Sequence, residues 1–270
     1  MAAPLTLSDL YIYPVKSLGG IRVAEAVIEP RGLRHDRRWL IVDEQNQFMT
    51  QRQTAEMAHL KVAPAHNGFL LTHAARPALL PLYVPFVATP ERTLFVTIWE
   101  DMVFAWCGTP EADAWLSEAL GRTCRLVYMS DMVMRATDGG AAGGDVSFAD
   151  AYPFLVIGQA SLDDLNTRLA APVPMDRFRP NLVFRGGAAY EEETWQHFEV
   201  GGQPFLGVRP CGRCVVTTID QHTTQKSPEP LRTLATYRTV GNKVMFGQNV
   251  TGPGQGVVRV GDPLAVLSHQ

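Results

Sequence analysis

The chain has 270 residues, 46% hydrophobic and 19% charged, which is enough apolar mass for one large domain or two small ones with real cores. Its net charge of -3 exerts no general pull toward nucleic acid, and no window reaches the run of about 18 apolar residues that a membrane helix needs. MAAPLTLSDL has neither a basic n-region nor an apolar h-region, and four cysteines in so long a chain make no disulfide framework, so the expectation is a soluble cytoplasmic protein with reduced thiols, bound to neither nucleic acid nor membrane.

Taken in order, most elements read as strands. Leu5–Tyr13 alternates and stops at Pro14. Trp39–Val42 leads through the polar turn Asp43–Asn46 to Phe48 and Met49, a hairpin pattern. Gly68–Thr72, Leu82–Phe86, Leu94–Trp99 and Met102–Trp106 follow, the last two joined at Glu100 and Asp101. Thr109, Pro110 and Glu111 spell a cap, a first-turn proline and a first-turn acid, with Ala112, Trp115, Leu116 and Ala119 on one helical face. Cys124–Met129 is a strand, and the glycine-rich stretch from Asp138 to Gly144 is a loose loop near the domain boundary, lacking the lysine of a P-loop. Ser161–Asp164 resembles a capping box opening a helix through Leu162, Leu165 and Leu169, with Asp163 and Asp164 in its first turn. Asn181–Phe184, Phe198–Val200 and Val215–Ile219 are strands, while Tyr190 and Trp195 beside Glu191–Glu193 read as loop packing. Ser227, Pro228 and Glu229 open a third helix with Leu231, Leu234 and Tyr237 inward, before strands at Lys243–Val250, Val257–Val260 and Leu264–Leu267. Many short strands with scattered helices predict a β-rich α/β fold of barrel-like sheets rather than an alternating βαβ fold.

Two features carry chemistry. The first is Cys211-Gly-Arg-Cys214, ahead of the β-branched run Val215–Ile219. Cys107 and Cys124 lie too far apart to complete a zinc knuckle, and a thioredoxin-type pair needs a helix after it, which Val-Val-Thr-Thr-Ile disfavours. Two readings stay open: small buried residues in a core strand, or one thiolate ligand for a soft metal, with Arg213 favouring the charged form. The second is a set of cations at strand ends: Lys16 in PVKS, Arg37 in DRRW, Arg52 in TQRQ, and Arg179 in RFRPN. Each alone suits ordinary solvated surface; converged, they form a cationic pocket for a phosphate-bearing ligand.

The ordered segments LYIYPVKS, DRRWLIVDEQNQFMTQRQ, SLDDLNTRL, RFRPNLVF, CGRCVVTTID, FGQNV and VRVGDPL resemble the MOSC proteins, in the branch with an N-terminal MOSC barrel domain: the bacterial YcbX type and the mitochondrial amidoxime-reducing component. The match spans about residue 5 to residue 267. The resemblance implies a MOSC N-terminal β-barrel-like domain over residues 1–120 and a MOSC β-barrel domain over 121–270, with the molybdenum cofactor, a pterin dithiolene with a phosphate tail, between them. It implies Cys214 as the metal ligand and catalytic residue, with Lys16, Ser17, Arg37, Arg52, Arg179, Asn181 and Arg213 binding the cofactor. Ala151 and Tyr152 replace the hydroxyl residues of the family pattern. The implied activity is reduction of hydroxylamines, amidoximes and N-hydroxylated base analogues. The sequence lacks the membrane segment of the mitochondrial members and the C-terminal ferredoxin of many YcbX-type proteins, so electrons are expected from a separate flavoprotein reductase, ferredoxin or cytochrome b5 type carrier. The alternatives are a molybdenum-cofactor or sulfur carrier without reductase activity and a zinc-binding or structural module; both rank below the reductase, because neither explains the ordered PVKS, DRRW and RPN motifs.

Overall fold

The computed structural model describes residues 4–89, 91–138 and 144–270. Five of the glycine-loop residues, 139–143, lie outside them. Strands dominate, with three α-helices: α1 at Pro110–Leu120, α2 at Gln159–Arg168 and α3 at Leu231–Ala235. None of the helices is long and apolar enough to cross a membrane.

The largest sheet runs in the order Leu264–His269, Trp195–Val200, Gln203–Gly212, Lys243–Thr251, Phe154–Gly158, Leu182–Arg185, Thr6–Ile12, Ile21–Val23. An antiparallel bridge from Thr6 to Pro263, with Leu264 N donating to Leu5 O at 3.0 Å, joins two distant parts of that path and makes the sheet barrel-like. A second sheet orders Trp39–Asp43, Cys124–Tyr128, Asp101–Cys107 and Thr93–Ile98. Sheet membership does not follow chain order: Thr6–Ile12 pairs with Leu182–Arg185, and Glu25–Glu29 pairs with Gly256–Arg259. One core joins residues from both ends, from Leu7 and Leu10 through Trp39 and Leu116 to Phe198 and Val258.

Local rules explain much of this. In the Thr93–Ile98 and Asp101–Cys107 hairpin, Val96, Ile98, Val103 and Ala105 are buried while Phe95, Met102 and Phe104 are exposed, the period-two pattern of a half-covered sheet. Thr109 caps α1 by accepting from Ala112 N at 3.2 Å, Gly121 ends it at φ 65°, and Ala112, Leu116 and Ala119 are buried. Truncating Leu116, fully enclosed, would cost about 3 kcal/mol.

Four expectations are corrected. Ser161 is no cap: α2 begins two residues earlier, and the Ser161 hydroxyl donates to Glu192 at 2.9 Å. Asp163 and Asp164 therefore lie past the first turn, where Asp163 accepts from Gln159 and Asp164 from Arg168 and Tyr190. The third helix is shorter than its pattern, starting at Leu231 rather than after Ser227. Trp195 is no loop residue but a buried strand residue tilted against Phe184 and Phe198. Val215–Thr218 is a 3-10 turn, not a strand, because Thr217 and Thr218 hydroxyls bond back to Cys214 O and Val215 O at 3.0 and 2.7 Å. The strand near the cysteines is the one before them, Gln203–Gly212, hidden in the sequence by Pro204, Gly207 and Pro210 and broken by two bulges. Gly207 is required there, since a Cβ would lie 2.0 Å from Trp195 O.

Candidate functional site

The strand ends meet. A cavity of about 1510 Å³ is lined by Lys16, Ser17, Arg37, Arg52, Arg179, Asn181, Arg213 and Cys214, every site residue expected from the sequence. It also draws in cations and acids that sequence reasoning passed over: Arg135, Arg209 and Lys243 beside Asp101, Asp138 and Asp150. Eight cationic side chains against four carboxylates leave the wall net positive.

Each cation is placed by its backbone. Arg37 follows Asp36, whose Oδ1 accepts from Tyr13 N at 2.7 Å and whose Oδ2 pairs with the Arg37 guanidinium. Arg37 N donates to Tyr13 O at 2.7 Å, and Phe148 N to Arg37 O at 2.9 Å. Arg37 and Arg179 both lie over the Tyr13 ring, at 4.6 and 4.5 Å from its centre. Two guanidiniums so close repel unless an anion separates their fields. Arg37 has Asp36: burial works against its charge, yet Asp36 holds it above the ordinary range. Arg179 pairs with no carboxylate among the described residues; burial lowers it to about 10, and its buried Nη2 has no hydrogen-bond partner. Burial likewise pushes the Tyr13 phenol well up, keeping it neutral.

A second chain of contacts reaches the thiol. Lys16 donates to Phe148 O at 2.8 Å and pairs with Asp150 Oδ1, while burial lowers its ammonium to about 8. Asp150 Oδ2 also accepts from Arg52 Nη2 at 3.2 Å. Burial would raise the Asp150 carboxyl, but Lys16 and Arg52 hold it below the ordinary carboxylate range, although 57% of its side chain is open at the cavity. Arg52 Nε then donates to Cys214 Sγ at 3.4 Å. Arg213, expected beside Cys214, instead reaches Cys211 Sγ at 3.2 Å and Phe178 O at 2.5 Å, with its own Nε buried and unpartnered. Asn181 lines the cavity as expected, and Arg37 Nη1 donates to its Oδ1 at 3.4 Å. It is 1% exposed, and its amide joins strands by donating to Tyr11 O at 3.2 Å and accepting from Leu155 N at 3.3 Å. It shapes the wall rather than offering a free group.

All four cysteines are free, with Cys211 and Cys214 half-buried in the cavity and Cys107 and Cys124 in the core, where burial pushes Cys124 up to about 11. Among the described residues no three His, Cys, Asp or Glu side chains gather as a metal cluster. The protein thus offers two thiols at the cavity, Cys211 and Cys214, and a surround of cations. It is an anion-cradling, β-rich fold whose cavity carries the Cys211 and Cys214 pair.

Residues 4–123 match the MOSC N-terminal beta barrel domain and residues 143–265 the MOSC domain. Mitochondrial amidoxime-reducing component 1 of Mus musculus is 34% identical over 286 residues, covering 98% of this chain and 83% of its own. The Homo sapiens protein of that name is 30% identical over 284 residues with the same coverage. Molybdenum cofactor sulfurase of Solanum lycopersicum is 30% identical over 271 residues, 91% of this chain but 33% of that longer one. The chain belongs to the MOSC family, in the branch that joins a MOSC N-terminal domain to a MOSC domain.

Proposed function

We propose that this protein is a molybdenum-cofactor oxidoreductase that reduces N-hydroxylated compounds: hydroxylamines, amidoximes and N-hydroxylated base analogues. One observation carries the reading: the Cys214 thiol, with Cys211 beside it, sits in a cavity among converging guanidiniums whose buried nitrogens lack partners. An orphaned buried donor is costly unless something accepts from it. Arg179 Nη2 and Arg213 Nε fit the acceptor oxygens and ring nitrogens of a phosphate-tailed pterin, and one thiolate suits a metal whose other sulfurs arrive with that pterin. The relatives' names support the same chemistry.

When bound, the cofactor supplies the two-electron chemistry of N–O reduction. The balance is R–NHOH plus two electrons and two protons, giving R–NH2 and water. The chain's residues do the rest. Cys214 holds the metal, with Arg52 donating to its sulfur and tempering its charge. Arg37, Arg179, Arg213, Lys16 and Ser17 bind the pterin and its phosphate, and Asp150 keeps Lys16 and Arg52 in register. Residues 1–120 and 121–270 act as the two domains flanking this cavity. Electrons come from a separate redox protein, and the four free thiols support a cytoplasmic setting.

The test is metal analysis of protein from a cofactor-making host, native against Cys214→Ser. Near-equal molybdenum and protein in the native chain, with N-hydroxy reduction lost in the variant, is the expected result. No molybdenum in the native chain sinks the reading; molybdenum without turnover, or a persulfide on Cys211 or Cys214, favours a carrier.

A further inference from the structure

Five aromatic side chains line the cavity, and four are covered: Phe154, Phe178 and Tyr152 are buried and Phe48 is half-buried. Trp99 keeps 41% of its surface open. It sits at the tip of the Thr93–Ile98 and Asp101–Cys107 hairpin with φ 55°, a left-handed backbone that bulky residues seldom adopt. The turn is pinned on both sides. Phe48 N donates to Thr97 O at 3.0 Å, and Arg135 Nε donates to Asp101 Oδ2 at 2.7 Å. The left-handed backbone serves the two-residue hairpin turn, and one side of the ring packs on Phe48 at 4.9 Å, but the open remainder of a large apolar ring facing a cavity marks a ligand site.

The ring's position identifies the ligand. Arg52 Cζ lies 4.4 Å from the Trp99 ring centre, and the same side chain's Nε reaches Cys214 Sγ at 3.4 Å. One arginine therefore spans the gap between thiol and indole, and the part of the Trp99 ring that Arg52 leaves open faces the same cavity as Cys214. An indole stacks on any flat π system and gains little from a small aliphatic group. The surplus of cations on the wall disfavours cationic ligands.

We infer that Trp99 is a specificity-determining residue, the stacking platform for a neutral, planar aromatic substrate. The enzyme thereby selects aryl amidoximes and N-hydroxylated heteroaromatic bases over small aliphatic hydroxylamines. This inference rests on the reductase reading above.

Molybdenum-loaded native protein, Trp99→Leu and Trp99→Phe are compared on a neutral aryl amidoxime, an N-hydroxylated purine and methylhydroxylamine. In Trp99→Leu the KM of the two planar substrates rises about tenfold, while kcat, molybdenum content and methylhydroxylamine turnover stay within about twofold. Trp99→Phe recovers most of the loss. Adenine, which carries no N–O bond, quenches native tryptophan fluorescence more than that of Trp99→Phe, which keeps the other tryptophans of the five. Equal KM changes for all three substrates, or equal quenching in native and Trp99→Phe proteins, overturns the assignment. If the loaded native enzyme turns over none of the three, the reductase reading fails instead, and the quenching difference still decides whether Trp99 stacks planar ligands.

Discussion

Arg179→Met is expected to move folding stability and cofactor retention in opposite directions. Burial lowers the Arg179 pKa to about 10. A base whose folded pKa lies below its unfolded value is penalised at every pH below the folded pKa, so the whole cost is present at pH 7. That cost is on the order of 3 kcal/mol before solvent screening, and about half of it after allowing for the part of the side chain that reaches the cavity. Against it stands the stacking of the guanidinium on Tyr13 at 4.5 Å, worth about 0.5–1 kcal/mol. The backbone at φ 58° is equally strained with either side chain, so strain cancels in the comparison. Cofactor-free Arg179→Met should therefore be more stable than the native chain by about 1 kcal/mol, a rise of roughly 2–4 °C in Tm. The same variant from a cofactor-making host should retain under a tenth of the native molybdenum, by loss of about 1.5–3 kcal/mol of charge-assisted bonding. Thermal melts of cofactor-free protein and metal analysis of loaded protein check the two arms. A cofactor-free variant clearly less stable than native would mean that Arg179 serves the fold, and the reasoning from its orphaned nitrogen would fail.

Arg52→Gln keeps a donor but removes the charge that touches Cys214 and Asp150. Molybdenum should largely remain while kcat falls roughly ten- to a hundredfold, as for other residues that orient a metal ligand; unchanged kcat in steady-state assays would refute the role. Glu192 tests the fold away from the cavity. It is fully buried, accepts from Gly158 N at 3.1 Å and Ser161 Oγ at 2.9 Å, and burial raises its carboxyl to about 7. The folded state therefore holds a proton that the unfolded chain releases between pH 4.5 and about 7, so stability falls as pH rises through that window. Glu192→Gln should flatten urea-unfolding stability between pH 5 and pH 8 by on the order of 2–3 kcal/mol; identical pH slopes in the two proteins would contradict the assignment.

Alternation and capping make much of the fold legible. The Thr93–Cys107 hairpin and α1 follow from period-two burial, a Thr109 cap and Gly121, all local signals. Gln203–Gly212 escapes such reading because its prolines and glycines mimic a loop, and only pairing with Trp195–Val200 and Lys243–Thr251 makes it a strand. The site divides the same way. Strand-end cations announce Lys16, Arg37, Arg52 and Arg179, and the resemblance singles out Cys214. That Arg52 attends Cys214, and that Asp150 ties Lys16 to Arg52, depends on contacts between segments nearly a hundred residues or more apart, which no local pattern carries.

Backbone strain shows why the rest is hidden. Nine described non-glycine residues have positive φ, and four of them, Ser17, Arg37, Trp99 and Arg179, line the cavity. Asn46 and Asn67 take that conformation in turns for the usual reason that asparagine tolerates it. Trp99 takes it in a hairpin turn, while the other three cavity residues, a serine and two arginines, are held against their own preference. Each costs about 1–2 kcal/mol, which the surrounding sheets must supply. A strand-end arginine free to choose would relax outward to water, as its residue type predicts. The frame instead fixes two of them over Tyr13, so the anion-binding geometry exists before any anion arrives. Four of the nine positive-φ residues gather at one cavity, as expected if folding stability has been traded for a preorganised site.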